Sequence, residues 1–251
     1  MPSFHHGAVE IAYLDEGEGD PIILVHGFAS SKNVNWVYPT WVSDLKKSGR
    51  RVIAFDNRGH GESSKLYDAA EYEIAIMASD IAALMDHLKL DRADVMGYSL
   101  GSRMTAMLAR SQPHLFRSAI LGGIGIGLIE GGGPGENVAK ALEADSLDEV
   151  TDSVGRTFRA FADQTRSDRK ALAACLRGSR RLMAKEEAAE IAVPVLIATV
   201  CLAMLGNAVI CGVISGPHDR YGSRLVWITT LAATIAWMKR PRREPEHSGT
   251  A

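Results

Sequence analysis

The 251-residue chain has little of several things that would mark a specialised protein. Its three cysteines, Cys175, Cys201 and Cys211, leave an odd count and show no metal-ligand spacing. That excludes a disulfide scaffold and reads as reduced thiols in the cytoplasm. Charge of one sign is also missing. Lys and Arg number 28 against 30 Asp and Glu, a net charge of −2, which gives no reason to expect nucleic acid or an anionic membrane as partner. The opening residues, MPSFHHGAVE, carry no basic segment followed by an apolar core, so no signal peptide is expected. No internal repeat or long low-complexity tract occurs. The most unusual absence is local: between Glu190 and Asp219 there is no acidic residue at all.

What is present is concentrated in three short motifs. The first is G-Y-S-L-G at Gly97 to Gly101, after a strand-like run (Ala93 to Met96) and before a helix-like run (Ser102 to Ala109). A serine on a tight strand-to-helix turn projects its hydroxyl away from the backbone, and the turn crowds its neighbours. Glycine on both flanks relieves that crowding. Ser99 then sits at the positive end of the following helix, where a developing oxyanion is favoured. The second motif is His26-Gly27-Phe28, after the apolar run Ile22 to Val25. A strand end followed by such a loop lets a backbone N–H point into a pocket, so Phe28 and Leu100 N–H are the expected oxyanion donors. The third, Asp56-Asn57-Arg58-Gly59-His60-Gly61-Glu62-Ser63, follows a strand-like Arg51 to Phe55.

In this order and spacing the three motifs resemble the α/β-hydrolase superfamily over roughly residues 4–198. The resemblance implies an α/β fold with a mostly parallel sheet and a helical lid. It implies a serine nucleophile at Ser99, a small-molecule ester as substrate, and no cofactor or metal. Serine at this turn leaves acyl transfer as the chemistry, since a hydroxyl nucleophile forms an acyl-enzyme. Phe4 to Glu16 reads as a hairpin-like opening and Gly17 to Asp20 as a turn. Met77 to Leu88 places apolar residues at helical spacing. Ser118 to Ile126 reads as a further strand, and Gly131 to Gly135 breaks the pattern. Val138 to Ile191 is Ala-, Arg- and Glu-rich with helical periodicity, and the segment 131–191 occupies the point where the superfamily inserts its lid. Val193 to Val200 reads as the next strand.

Beyond this point the chain departs from the family pattern. The superfamily places its acid after that strand and its histidine after one more helix and strand. Here Val195 to Ser215 is an uncharged apolar run, long enough for a bilayer, which takes about 20 such residues. Leu225 to Met238 is a second apolar stretch, ending in Lys239-Arg240-Pro241-Arg242-Arg243, which would lie on the cytoplasmic side. Residues 199–251 therefore read as an atypical tail, resembling the end of a bacterial inner-membrane protein and making membrane contact through 195–238. The base and acid candidates are His218, in Gly-Pro-His-Asp, and Glu130, after the strand that follows the serine helix. His26 and His60 belong to loop motifs with structural roles. Two readings follow: a cytoplasmic serine hydrolase of a small ester, or a hydrolase-like protein with an incomplete triad, held at the inner membrane by its tail. Oligomeric state leaves no mark in the sequence.

Overall fold

A computed structural model describes residues 1–198 of the chain. It opens with a hairpin, β1 (Ser3–His6) and β2 (Val9–Glu16), followed by β3 (Asp20–Val25). Helix α1 (Trp41–Lys47) leads to β4 (Arg50–Phe55), α2 (Ile74–His87) to β5 (Ala93–Tyr98), and α3 (Leu100–Ser111) to β6 (Phe116–Gly122). Helices α4 (Gly127–Glu130), α5 (Glu136–Glu143), α6 (Ser153–Gln164), α7 (Arg169–Gly178) and α8 (Lys185–Ala189) precede β7 (Val195–Ala198). The strands form one sheet in the order β1-β2-β4-β3-β5-β6-β7. The β1–β2 and β2–β4 pairs are antiparallel, and every pair from β4 to β7 is parallel.

The central strands are apolar without alternation because helices cover both faces of a parallel sheet. Ile22 to Val25 and Val52 to Phe55 are completely buried. Ile23, Val25, Ile53, Phe55, Val95 and Leu121 face one core. Helix α2 packs there through Ile74, Met77, Ala78, Ile81, Leu84 and Met85, and α3 through Met104, Met107 and Leu108. For α2 this is the spacing of a single buried helical stripe, whereas α3 is buried on nearly every side from Leu100 to Ala109. The residues between them on the strands, Ile22, Leu24, Val52, Ala54 and Ile120, are equally buried.

Strand β3 lies between β4 and β5, so the chain runs outward from it in both directions. Such a reversal opens a crevice beyond the carboxyl ends of the strands, where open α/β sheets bind ligands. The His26, Asp56 and Ser99 loops all leave from those ends.

Helices α5, α6 and α7 make a second, smaller core from Val138, Ala139, Leu142, Ala162, Leu172, Ala173 and Leu176. Asp152 and Asp168 cap α6 and α7 by accepting from Gly155 N–H and Ala171 N–H, satisfying donors that a helix start leaves open. Arg177 of α7 grips Glu136 and Glu143 at the two ends of α5. These helices fill most of the expected 131–191 segment.

Two boundaries differ from expectation. Strand β6 stops at Gly122 rather than Ile126, because Gly123 turns the chain at φ 68° and a Cβ there would meet the Tyr98 ring at 2.6 Å. Apolar composition continues past that turn, but extended backbone does not. At the other end, residues 195–198, the start of the apolar run, are strand β7, paired with β6 from Ala119 to Gly122. They hydrogen-bond within the sheet and do not belong to a membrane segment. Residues 199–251, with the rest of the proposed tail, lie outside the described residues. Among the described residues no helix is long and apolar enough to cross a membrane.

The charged residues buried beneath α2 are paired. Arg58 is fixed to Asp80 by two bonds, 2.8 and 2.7 Å, and His6 Nδ1 lies 2.7 Å from the same carboxylate. Removing one partner of such a pair leaves the other charge uncompensated, a loss of about 3–5 kcal/mol. Asp80→Ala should therefore lower the unfolding free energy by about that amount in urea titrations. Glu16→Ala, which breaks the half-exposed pair with Lys46, should cost less than about 1 kcal/mol.

Candidate active site

Ser99 stands between the end of β5 and the first turn of α3, at φ 50° and ψ −109°. A non-glycine residue at positive φ is strained and persists only where its surroundings hold it. The surroundings here are specific. Ser99 N–H donates to Gly122 O at 2.8 Å, and Ser102 and Arg103 N–H close the turn on Ser99 O at 3.0 and 3.2 Å. Ser102 Oγ ties the two flanking strands, donating to Gly97 O at 2.8 Å and Gly122 O at 2.7 Å. A Cβ on Gly97 would lie 2.3 Å from Gly101 O, and one on Gly101 would lie 2.1 Å from Val25 O. Both glycines are therefore required by close backbone approach, and the motif's spacing is the spacing of that crossing. Ser99 itself is half-buried, and its hydroxyl bonds to no described residue.

Leu100 is the first residue of α3, so its N–H has no intrahelical acceptor. Phe28 follows the end of β3 by three residues, on the loop that Gly101 touches. Gly27 N–H donates to Asn35 Oδ1 at 3.1 Å, which fixes the start of this loop, while Phe28 N–H donates to no described residue.

A buried polar cluster lies behind the loop. The Asp56 carboxylate accepts from Lys32 N–H and Lys32 Nζ, each at 2.7 Å, and from Glu62 N–H at 2.8 Å. Burial alone would raise this carboxyl. The two amides and the Lys32 ammonium outweigh it and hold Asp56 below its ordinary value. His26 donates from Nδ1 to Gly27 O at 2.8 Å and accepts at Nε2 from Asn57 N–H at 2.9 Å. Both ring nitrogens are thus used by the neutral form. The 4.0 Å approach of Nε2 to Asp56 Oδ1 is consequently not an ion pair. His60 donates from Nδ1 to Arg58 O at 2.9 Å, and its buried Nε2 has no partner among the described residues, nor has Asn57 Oδ1. Burial pushes the His26 imidazole down and the His60 imidazole down to about 3, the latter helped by His26.

The two structural histidines therefore brace the loop and are unavailable as bases. Of the sequence-derived candidates, Ser99, Leu100 and Phe28 all lie on the loops at the carboxyl edge of the sheet. Glu130 is an exposed residue at the end of α4. His218 lies outside the described residues. Cys175 is buried in α7, and burial pushes its thiol up to about 12, so it is no nucleophile near neutral pH. Among the described residues no three His, Cys, Asp or Glu side chains are grouped to hold a metal. A cavity of about 420 Å³ lined by Tyr67, Ala69, Glu143, Lys170, Ala174 and Arg177 contains none of the candidate residues. Lys32 and Asn35 carry no signal in the sequence, and Asn57 stands there only as part of the Asp56 to Ser63 motif. A lone lysine or asparagine in a polar loop carries no periodic signal, and its burial is decided by the strand ends around it.

The neutral histidines make stability depend on pH. Unfolded histidine takes up a proton near its ordinary value of 6.5, whereas buried His60 resists protonation to about 3. The unfolded chain binds more protons across that window, so this contribution is fully present above pH 6.5 and is lost as pH falls. His26 acts in the same direction, and Asp56 adds to the loss at the acidic end. Denaturant midpoints measured from pH 7 to pH 4 should fall steadily, and His60→Gln should make that slope shallower.

A profile of the α/β-hydrolase fold matches residues 20–194. Among curated proteins, 2-hydroxy-6-oxo-2,4-heptadienoate hydrolase of Pseudomonas putida F1 is 31% identical over 121 residues, covering 48% of this chain and 43% of that protein. Non-heme chloroperoxidase CPO-A1 of Kitasatospora aureofaciens is 32% identical over 117 residues, covering 45% of this chain and 40% of that protein. The chain thus matches less than half the length of either relative. Among solved structures, Est816, described as an N-acyl homoserine lactone degrading enzyme, superposes with a TM-score of 0.58 at 25% identity, over 78% of this chain and 80% of that one. With a family match over most of its length, a sheet of this order and a strained serine between β5 and α3, this chain belongs to the α/β-hydrolase family.

Proposed function

We propose that the protein is a serine hydrolase of small carboxylic esters, with Ser99 as nucleophile and the N–H groups of Phe28 and Leu100 as oxyanion donors. The observation that carries the reading is the elbow. Ser99 is held at φ 50°, with a hydroxyl that bonds to no described residue, beside an amide at the start of α3 that has no partner among the described residues. A hydroxyl held there attacks an acyl carbonyl, and donors aimed at the resulting oxyanion stabilise it as charge develops. Est816, named for a lactone-degrading activity, supports an ester or cyclic ester as substrate class.

The base must come from elsewhere in the chain. His26 and His60 are buried and neutral, His6 is bonded to Asp80, and His87 is stacked on Phe4 and bonded to Tyr13. His5 lies on the outermost strand and His114 beyond the far end of α3. The histidine that would activate Ser99 is then His218, or His247, in residues 199–251, with Glu130 as acid candidate. The same observation favours the second reading: a hydrolase-like protein lacking a complete triad, associated with the inner membrane through the apolar residues after 198.

A short-chain p-nitrophenyl ester assay on the full chain discriminates between these readings. Turnover should fall below the ordinary enzyme range of about 1–10³ s⁻¹, and Ser99→Ala should abolish it. Turnover that survives Ser99→Ala removes Ser99 as nucleophile. A loss of about 10³-fold or more in His218→Ala would identify the base. No change there, with the protein recovered in the membrane fraction, supports the incomplete-triad reading.

A further inference from the structure

The Phe28 loop is held from two sides, and only one of them belongs to the sheet. On the sheet side, Gly27 N–H is bonded to Asn35, and the Phe28 ring meets His60 edge-on, with centroids 5.9 Å apart at 80°. On the other side the same ring packs against Phe158 of α6, with centroids 5.8 Å apart at 48°. The next residue, Ala29, is fully buried in the small core of α5, α6 and α7, beside Val138, Leu142, Ala162 and Leu172. Ala29 also sits at φ 57°. An alanine in the left-handed region costs about 1–2 kcal/mol and stays there only while its surroundings over-determine it. Part of those surroundings is the helical lid.

We propose that the lid sets the position of the oxyanion loop, with Phe158 as the positioning residue for the Phe28 amide. This rests on the reading of Phe28 N–H as an oxyanion donor. In this arrangement the lid does more than wall a substrate pocket. Its seating on Phe28 and Ala29 keeps the strained loop in the conformation that presents the donor. A lid displaced by ligand entry or by mutation lets Ala29 relax and carries the Phe28 amide away from Ser99. Donor placement and lid placement are then a single equilibrium, and a substrate that holds the lid down also completes the oxyanion site.

Hydrogen exchange on the full chain tests the coupling without requiring turnover. The reporters are Gly27 N–H, Ser30 N–H, bonded to Gly27 O, and Lys32 N–H, bonded to Asp56. Phe158→Ala should speed exchange in the peptide covering residues 26–32 by about tenfold, the scale of one aromatic contact. The peptide covering residues 93–101, which holds the Ser99 amide, should be unchanged. Phe158→Leu, which keeps apolar volume on Phe28, should restore most of the protection, and Val154→Ala on the exposed side of the same helix should have no effect. Where ester turnover is measurable, Phe158→Ala should lower kcat more than it raises KM, because the donor acts in the transition state. Unchanged exchange in residues 26–32 overturns the proposal. So does equal acceleration throughout the chain, which would make Phe158 a general packing residue. Turnover surviving Ser99→Ala would defeat only the assignment of Ser99 as nucleophile, since the exchange result stands without it.

Discussion

Every feature of the candidate site depends on one close crossing of backbone. The first turn of α3 passes so near the end of β3 that a Cβ on Gly101 would lie 2.1 Å from the Val25 carbonyl oxygen. Overlap of that size cannot be relieved by a rotamer change, because both partners are main chain. The crossing places the serine turn directly beside the loop that leaves β3. It makes Gly97 necessary on the other flank, and it holds Ser99 in a strained conformation that an isolated turn would abandon. The serine turn and the loop that leaves β3 are brought together as a consequence of how helix and strand pack.

The loops at this edge are stabilised by polar atoms that would be costly to bury singly. Asp56 gathers the Lys32 and Glu62 amides and the Lys32 ammonium, joining the loop after β3 to the loop after β4. A buried lysine is tolerable only with such a partner. His26 uses its neutral form to bridge backbone groups of the same two loops, and His60 donates to Arg58 O within the second of them. In this arrangement histidine acts as a shaped donor and acceptor, and its titration near neutrality is suppressed by burial.

The lid helices add a second core against one side of this edge. Their hydrophobic cluster contains Ala29, on the loop that leaves β3. The site is therefore built between two packed bodies, a sheet that fixes Ser99 and a helical layer that reaches Phe28. Residues that serve the second contact, such as Phe158, lie far from the motifs in sequence.

The sequence by itself determined the family, the three loop motifs and the position of Ser99. Each of these is a local pattern: an apolar run, a glycine pair at fixed spacing, a serine between strand and helix. It also determined that α2 carries one buried stripe, since helical period is written along a single segment, whereas α3 is buried on nearly every side. Element ends were less legible. Gly122 to Ile126 is apolar throughout, yet the strand stops where Gly123 meets the Tyr98 ring. Only the tertiary structure decided that Lys32 is buried on Asp56, that His26 and His60 are neutral braces, that residues 195–198 join the sheet, and that Phe158 lies on Phe28. The reason is physical. Burial, protonation state and contact are properties of groups that converge from distant segments, and a linear pattern records only what neighbours along the chain impose on one another.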